Sequence, residues 1–264
     1  MVRSRPWFVL LVAALWLGCS GCTAAPAPLR GCDGATVCTR VLFIGNSYTY
    51  VNDLPTMFAR LAEAGGHRVE TGMAAVGGAT FADQVGSADT HSKLAASKWT
   101  LVVLQEQSEI PSIAQSRAAE MYPNARLLVQ RVRNTRATPV FFLTWGHRDG
   151  WPENGLGTYA SMQAQLDTGY RAIADELKVG VVPVGDAWAA AHAADAGLDL
   201  WQPDGSHPTA TGTYLAACVF YAAVFHQSPG GLDYTADLAA DTAHAIQVTA
   251  ATQVLDDPMG WTLP

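Results

Sequence analysis

From residue 40 onward, the chain alternates between two rhythms of hydrophobic and polar positions. Short runs at residues 40–44, 68–73, 101–104, 140–144 and 179–184 are mostly apolar and rich in β-branched side chains. Near-continuous apolar runs of this length fit parallel strands covered on both faces. Longer segments lie between and after them, at residues 54–64, 81–97, 113–136, 159–177, 187–196, 209–225 and 238–255. In the fourth of these, Tyr159, Met162, Leu166, Tyr170, Ile173 and Leu177 recur at helical spacing and form one core-facing stripe. The alternation predicts an α/β protein: a three-layer α/β/α doubly wound sheet of about five parallel strands, flavodoxin-like in type. Ligands of such sheets bind in the crevice beyond the carboxyl ends of the strands. The loops that follow each strand are therefore where chemistry is expected.

The N-terminus reads differently. Arg3 and Arg5 precede an apolar stretch at residues 7–17, which is too short to span a bilayer and fits a secretory signal over residues 1–19. Residues 20–38 read as an Ala/Pro-rich tether ending in a loop between Cys32 and Cys38, and residues 39–264 as a single domain. Cys19 and Cys22 each follow a glycine and resemble the lipid-bearing cysteine of bacterial lipoproteins; cleavage near Ala25 or Ala27 is the alternative. The expected location is thus the bacterial cell envelope or the medium. In an exported chain, Cys32 and Cys38 are expected to pair and pin the start of the first strand. Cys218 sits in an apolar run at residues 214–225 and reads as a buried core thiol.

Composition narrows the partners. Hydrophobic residues make up 49% and charged residues 15%, the balance of a protein with a large core. A net charge of −7 with no Lys/Arg cluster excludes nucleic acid as an expected partner. Membrane contact is expected only through an N-terminal lipid, and a monomer is the expected state. No spacing of Cys and His matches a zinc site, and neither metal nor cofactor is called for.

Two short pieces carry the candidate chemistry. Gly45-Asn46-Ser47 follows the first strand, and Asp204-Gly205-Ser206-His207-Pro208 places a carboxylate and an imidazole in one turn. A serine hydroxyl needs an adjacent base, itself held in the right tautomer by a third group. Each piece also has a plain structural explanation. Asn46 and Ser47 can satisfy turn amides, and the second piece can be a polar loop leading to a helix capped by Thr209. Those explanations give no reason for His207, and serine, aspartate and histidine together point to a hydrolase. A dyad of Ser47 and His207 alone would suffice if Asp204 pointed elsewhere.

The same motifs resemble those of the SGNH hydrolase superfamily, the GDSL-like esterases, over roughly residues 40–226. Its nucleophile follows the first strand in Gly-Asp-Ser, matched here as Gly45-Asn46-Ser47. Its last motif, Asp-x-x-His-Pro, is matched by residues 204–208. The resemblance implies catalysis by Ser47, Asp204 and His207, with an oxyanion hole of the Ser47 amide, a glycine amide after the second strand and an Asn side chain after the third. Gly78, in Gly77-Gly78-Ala79-Thr80, fits the glycine, although glycines there also suit a simple turn. The third motif departs from the pattern: Gly-x-Asn-Asp is replaced by Gln105-Glu106-Gln107-Ser108. Gln107 takes the place of the Asn and Gln105 that of the glycine, and either amide has the required donor. Asn46, Tyr48, Glu106, Trp145 and Trp201 are expected to contact substrate. Trp145 and Trp151, with Tyr48 and Trp201, would form an aromatic wall, and Glu106 would meet a substrate hydroxyl. His147 is a second candidate base. The implied function is an exported serine esterase acting on a small ester or acylated carbohydrate through an acyl-Ser47 intermediate. An envelope polysaccharide O-acyltransferase and a non-catalytic glycan-binding protein are the alternatives.

Overall fold

The computed structural model describes residues 28–256. The signal segment, Cys19, Cys22 and both cleavage positions lie outside the described residues. Five strands form one parallel sheet in the order β2-β1-β3-β4-β5: β1 Thr39–Gly45, β2 Val69–Ala75, β3 Leu101–Leu104, β4 Thr138–Phe142 and β5 Gly180–Val182. Among the described residues, eight helices of six residues or more accompany it: α1 Leu54–Ala64, α2 Phe81–Gly86, α3 Ala88–Ala96, α4 Tyr122–Asn134, α5 Tyr159–Leu177, α6 Val184–Ala194, α7 Ala210–Phe225 and α8 Ala240–Leu255. A few shorter helical turns join them.

Period-two alternation along each strand divides the core into two layers. Val41, Phe43, Val103, Val140 and Phe142 face α1, α6, α7 and α8, whereas Leu42, Ile44, Val102, Leu104 and Phe141 face α2 to α5. This is the three-layer arrangement expected from the continuous apolar runs. Helix α7 is buried along nearly its whole length because α1 and α8 flank it. Gln247 of α8 donates from Nε2 to the Tyr214 hydroxyl at 2.8 Å, and that hydroxyl donates to the Tyr234 carbonyl at 2.6 Å. Both ends of this polar chain are therefore satisfied within an apolar interface. At the other end of the chain, Cys32 and Cys38 form a disulfide with Cα atoms 5.5 Å apart, just before β1.

Differences from the expected elements have local causes. The single helix expected over residues 81–97 is two, because Ser87 takes extended backbone and caps α3 by accepting from the Thr90 amide at 3.2 Å. The segment expected as one helix from residue 113 includes a π-turn at Arg117–Met121 before α4. β4 begins and ends two residues earlier than expected, and β5 is cut short where Pro183 leads directly into α6.

Register decides where the loops go. Ile44 of β1 pairs with Ala74 of β2 and Leu104 of β3, so all three strands end side by side. The first strand of the chain lies between the second and third, and its exit loop sits at the centre of the carboxyl edge. Helix α7, which carries the chain away from the Asp204–His207 turn, packs by its buried Gly212. A Cβ there would lie 2.5 Å from the Leu200 carbonyl oxygen and against the Trp188 indole. Gly212→Ala is expected to destabilise the fold by about 2 kcal/mol through overpacking. Calorimetry should show a Tm lowered by several degrees, and an unchanged Tm would contradict this packing.

Candidate active site

The site is assembled from the turn after β1 upward. Gly45 ends β1 where a Cβ would collide with the Gln105 and Thr49 side chains. Asn46 follows with φ −142° and ψ −148°, and both polar atoms of its buried side chain are hydrogen-bonded. Oδ1 accepts from the Tyr48 amide at 3.1 Å and from Gln105 Nε2 at 2.9 Å, while Nδ2 donates to the Ala79 carbonyl at 3.0 Å. Asn46 thereby caps the single helical turn Ser47–Tyr50 and ties it to the loop after β2. Ser47 opens that turn, with Oγ 2.9 Å from His207 Nε2.

His207 is oriented from its other nitrogen, Nδ1, which lies 2.6 Å from Asp204 Oδ2. Asp204 Oδ1 accepts the amides of Ser206 and His207 at 2.9 and 3.0 Å, which folds residues 204–207 into a tight turn. Gly205 takes φ +72° within it, a left-handed conformation that suits glycine. Burial raises the Asp204 pKa, but the two amides and the imidazole outweigh it and hold the carboxyl below its ordinary value. Asp204 is therefore ionised where His207 needs it. The serine, imidazole and carboxylate form one hydrogen-bonded chain.

This turn is braced by the loop after β4. Trp145 Nε1 donates to the Ser206 carbonyl at 3.0 Å, the Arg148 amide donates to the Gly205 carbonyl at 2.8 Å, and Trp201 Nε1 donates to the Gly146 carbonyl at 3.0 Å. The Trp145 ring lies stacked between Tyr48 and Trp188, at centroid separations of 4.5 and 3.9 Å. Asn52, with φ +57°, donates to the Pro208 carbonyl and to Thr213 Oγ1, both at 3.0 Å, joining the Ser47 segment to the histidine turn.

A cleft of about 260 Å³ opens in front of Ser47. Gly77 and Gly78 line it from the loop after β2, Gln107 and Ser108 from the loop after β3, and Tyr48 and Tyr50 from the nucleophile turn. Gly78 has φ +70°. Gln107 Oε1 accepts from the amides of Glu109 at 2.7 Å and Ile110 at 3.0 Å, which fixes the carboxamide orientation. Its Nε2 makes only long contacts, 3.4 Å to Ser108 Oγ and 3.5 Å to Glu109 Oε2. Among the described residues, no three His, Cys, Asp or Glu side chains are placed to hold a metal ion.

No family model and no curated protein matches this sequence. Solved structures do match the fold. A DUF4886 family protein from Bacteroides uniformis superposes with a TM-score of 0.73 at 21% identity, over 86% of this chain and 98% of its own. A protein classed as an SGNH hydrolase, from Slackia heliotrinireducens, gives a TM-score of 0.58 at 28% identity, over 70% and 98%. A catalytic mutant of an acetylxylan esterase from Geobacillus stearothermophilus gives 0.54 at 15% identity, over 70% and 94%. The chain has the SGNH hydrolase fold.

Within that SGNH fold, several residues expected at the substrate are not there. Gln105 is fully buried, and both of its amide protons are committed, to Asn46 Oδ1 and to the Glu106 carbonyl. Its Oε1 accepts from the Asn46 amide and from Thr49 Oγ1, each at 2.9 Å, so Gln105 supports the nucleophile turn and donates nothing to the cleft. Trp145 and Trp201 are core side chains, with their polar edges turned to carbonyls, and form no exposed aromatic wall. Glu106 is buried at 1% exposure, behind the loops and away from the crevice. Asn46 borders the cleft, but both polar atoms of its buried side chain already bond to the protein. His147 is half-buried, its enclosed Nε2 has no partner among the described residues, and burial lowers its pKa. Residues not singled out from sequence are Tyr50, Ser108 and Ser206 at the cleft, and Asn52 behind it. The Tyr48 hydroxyl lies 2.7 Å from Ser206 Oγ, a contact across 158 positions that no local pattern reveals.

The SGNH family commonly has Asp where this chain has Asn46, and here the two are not equivalent. An Asp carboxylate would face the Ala79 carbonyl in place of a donor. Asn46→Asp is expected to lower stability by about 2–4 kcal/mol at pH 8. Urea unfolding followed by tryptophan fluorescence checks this, and wild-type stability would contradict it.

Proposed function

We propose that this chain is an exported serine esterase that cleaves small acyl esters, acetylated carbohydrate foremost, through an acyl-Ser47 intermediate. The observation that carries the proposal is the unbroken chain from Ser47 Oγ to His207 Nε2, at 2.9 Å, and from His207 Nδ1 to Asp204 Oδ2, at 2.6 Å. Ser47 Oγ attacks the ester carbonyl carbon while His207 Nε2 takes its proton. Asp204 holds the imidazole and stabilises its charge. The oxyanion is held by the amides of Ser47 and Gly78 and by Gln107 Nε2, whose present contacts to Ser108 and Glu109 are long and easily given up. The alcohol leaves with the proton from His207. Water then attacks the acyl-enzyme by the same route, with His207 as base.

The cleft supports the substrate class. Its volume of about 260 Å³ suits a short acyl group, and its walls carry hydroxyl and amide groups of Tyr48, Ser108, Ser206 and Gln107. Acetylxylan esterases among the structural neighbours agree with an acetylated sugar. The Cys32–Cys38 disulfide supports export to an oxidising compartment, as does the N-terminal signal pattern. A lipid at Cys19 or Cys22 would tether the enzyme to the envelope. Assembly of all three catalytic groups, each hydrogen-bonded to the next, favours catalysis over glycan binding alone. Transfer to a sugar hydroxyl instead of water would use the same residues, and product analysis with a polysaccharide acceptor separates the two.

Ser47→Ala is expected to abolish p-nitrophenyl acetate hydrolysis while circular dichroism stays unchanged. Asp204→Asn should lower kcat by roughly 10²–10⁴-fold. Activity retained in Ser47→Ala would contradict the mechanism. Gln107→Ala should reduce kcat by roughly 10²–10³-fold with little change in KM. A variant with full kcat would remove Gln107 from the oxyanion hole.

A further inference from the structure

Glu106 is unused by this mechanism, although it is the buried carboxylate next to it. Its Oε1 accepts two backbone amides, from Phe81 and from Gln107, each at 2.8 Å. Phe81 opens α2 three residues after Gly78, and Gln107 follows Glu106 directly. These amides belong to loops leaving β2 and β3, which are not neighbours, since β1 lies between them. One oxygen thus joins the loops on either side of the nucleophile turn. Glu106 is itself fixed, because its amide donates to the Tyr170 hydroxyl at 3.1 Å and its carbonyl accepts from Gln105 Nε2. Its second oxygen, Oε2, is buried with no partner among the described residues.

We propose that Glu106 is a positioning residue that clamps the Gly78 loop to the Gln107 loop and so sets the geometry of the oxyanion hole. The proposal rests on the esterase reading above. A buried carboxylate with one oxygen unsatisfied costs stability, and a neutral side chain would fill the same space at lower cost. What the carboxylate contributes is a strong acceptor for two amides at once, since charge-assisted hydrogen bonds are shorter and stronger than neutral ones.

The clamp is sensitive to pH. The titratable groups facing Glu106 are Asp83 of α2, Glu120 of the π-turn before α4 and Tyr170 of α5. Burial pushes the Glu106 pKa up from 4.5 to about 7, and the amides of Gln107 and Phe81 pull it back only in part. Across that window the folded protein binds a proton that the unfolded chain has released. Stability therefore falls as pH rises through it, while the clamp tightens.

The test is steady-state hydrolysis of p-nitrophenyl acetate from pH 5.5 to 8.5 by wild type, Glu106→Gln and Glu106→Leu, with Tm measured at each pH. Glu106→Gln keeps an acceptor oxygen but cannot ionise. Its kcat should be about tenfold below wild type at pH 8, with KM nearly unchanged, and should converge to within about twofold at pH 5.5. Any pH dependence common to both proteins cancels in that ratio. Its Tm at pH 8 should equal or exceed that of wild type. Glu106→Leu, which removes the acceptor, should lose at least about a hundredfold in kcat. A Glu106→Gln variant with wild-type kcat at every pH would overturn the clamp. So would kcat, KM and Tm deteriorating together, which would mark a packing role alone. Active wild type with unaffected variants fails only the clamp, whereas inactive wild type fails the esterase reading and the clamp with it.

Discussion

The close approach of β1 and β3 at their carboxyl ends governs the rest of the site. Ile44 pairs with Leu104, so the residues that follow, Gly45 and Gln105, meet where only one can carry a side chain. Gly45 yields the space. Gln105 fills it and makes hydrogen bonds with both amide oxygen and amide nitrogen, to Asn46, Thr49 and Glu106. A buried amide with every valence satisfied is rigid, because any rotation would strand a donor or an acceptor away from water. The turn that presents Ser47 inherits this rigidity. A nucleophile must be held within fractions of an ångström of its base, and for the role proposed for Ser47 that support comes from the neighbouring strand.

The other half of the site is held by aromatic side chains used as hydrogen-bonding wedges. Trp145 and Trp201 bury their rings in the core and turn their N–H groups to the carbonyls of Ser206 and Gly146. Tyr48 stacks on Trp145 and touches His207 edge-on at 5.8 Å, which connects the nucleophile turn, the wedge and the imidazole in one packed row. Buried rings carry large apolar area and still offer a polar edge, so one side chain both fills the core and fixes a loop. Asn52 repeats the logic in polar form, bridging to Pro208 and Thr213.

Much of the fold was legible in the sequence, because strands buried on both faces leave continuous apolar runs and helices leave stripes. The places of Ser47, Asp204, His207 and Gly78 were legible for the same reason: all follow strand ends or sit in a short, self-contained turn. What was not legible is the direction in which a side chain points. Trp145 follows β4 at a position where a ring can face the cleft or the core, and no local spacing distinguishes the two. Gln105, Glu106 and Gln107 are consecutive and chemically alike, yet one braces the nucleophile turn, one joins two loops and one borders the cleft. That division depends on β1 lying between β2 and β3, a fact of topology that residue type does not encode. Helix breaks at Ser87 and at Arg117–Met121 were hidden similarly, since hydrophobic spacing continues through them.

In the proposed mechanism, everything depends on activation of Ser47 by His207. A fluorophosphonate, which reacts only with an activated serine, tests it directly when the modified peptide is identified by mass spectrometry. One stoichiometric adduct on Ser47 is expected, lost in a folded His207→Ala variant. A folded wild-type protein left unmodified at Ser47, or modified equally without His207, would contradict it.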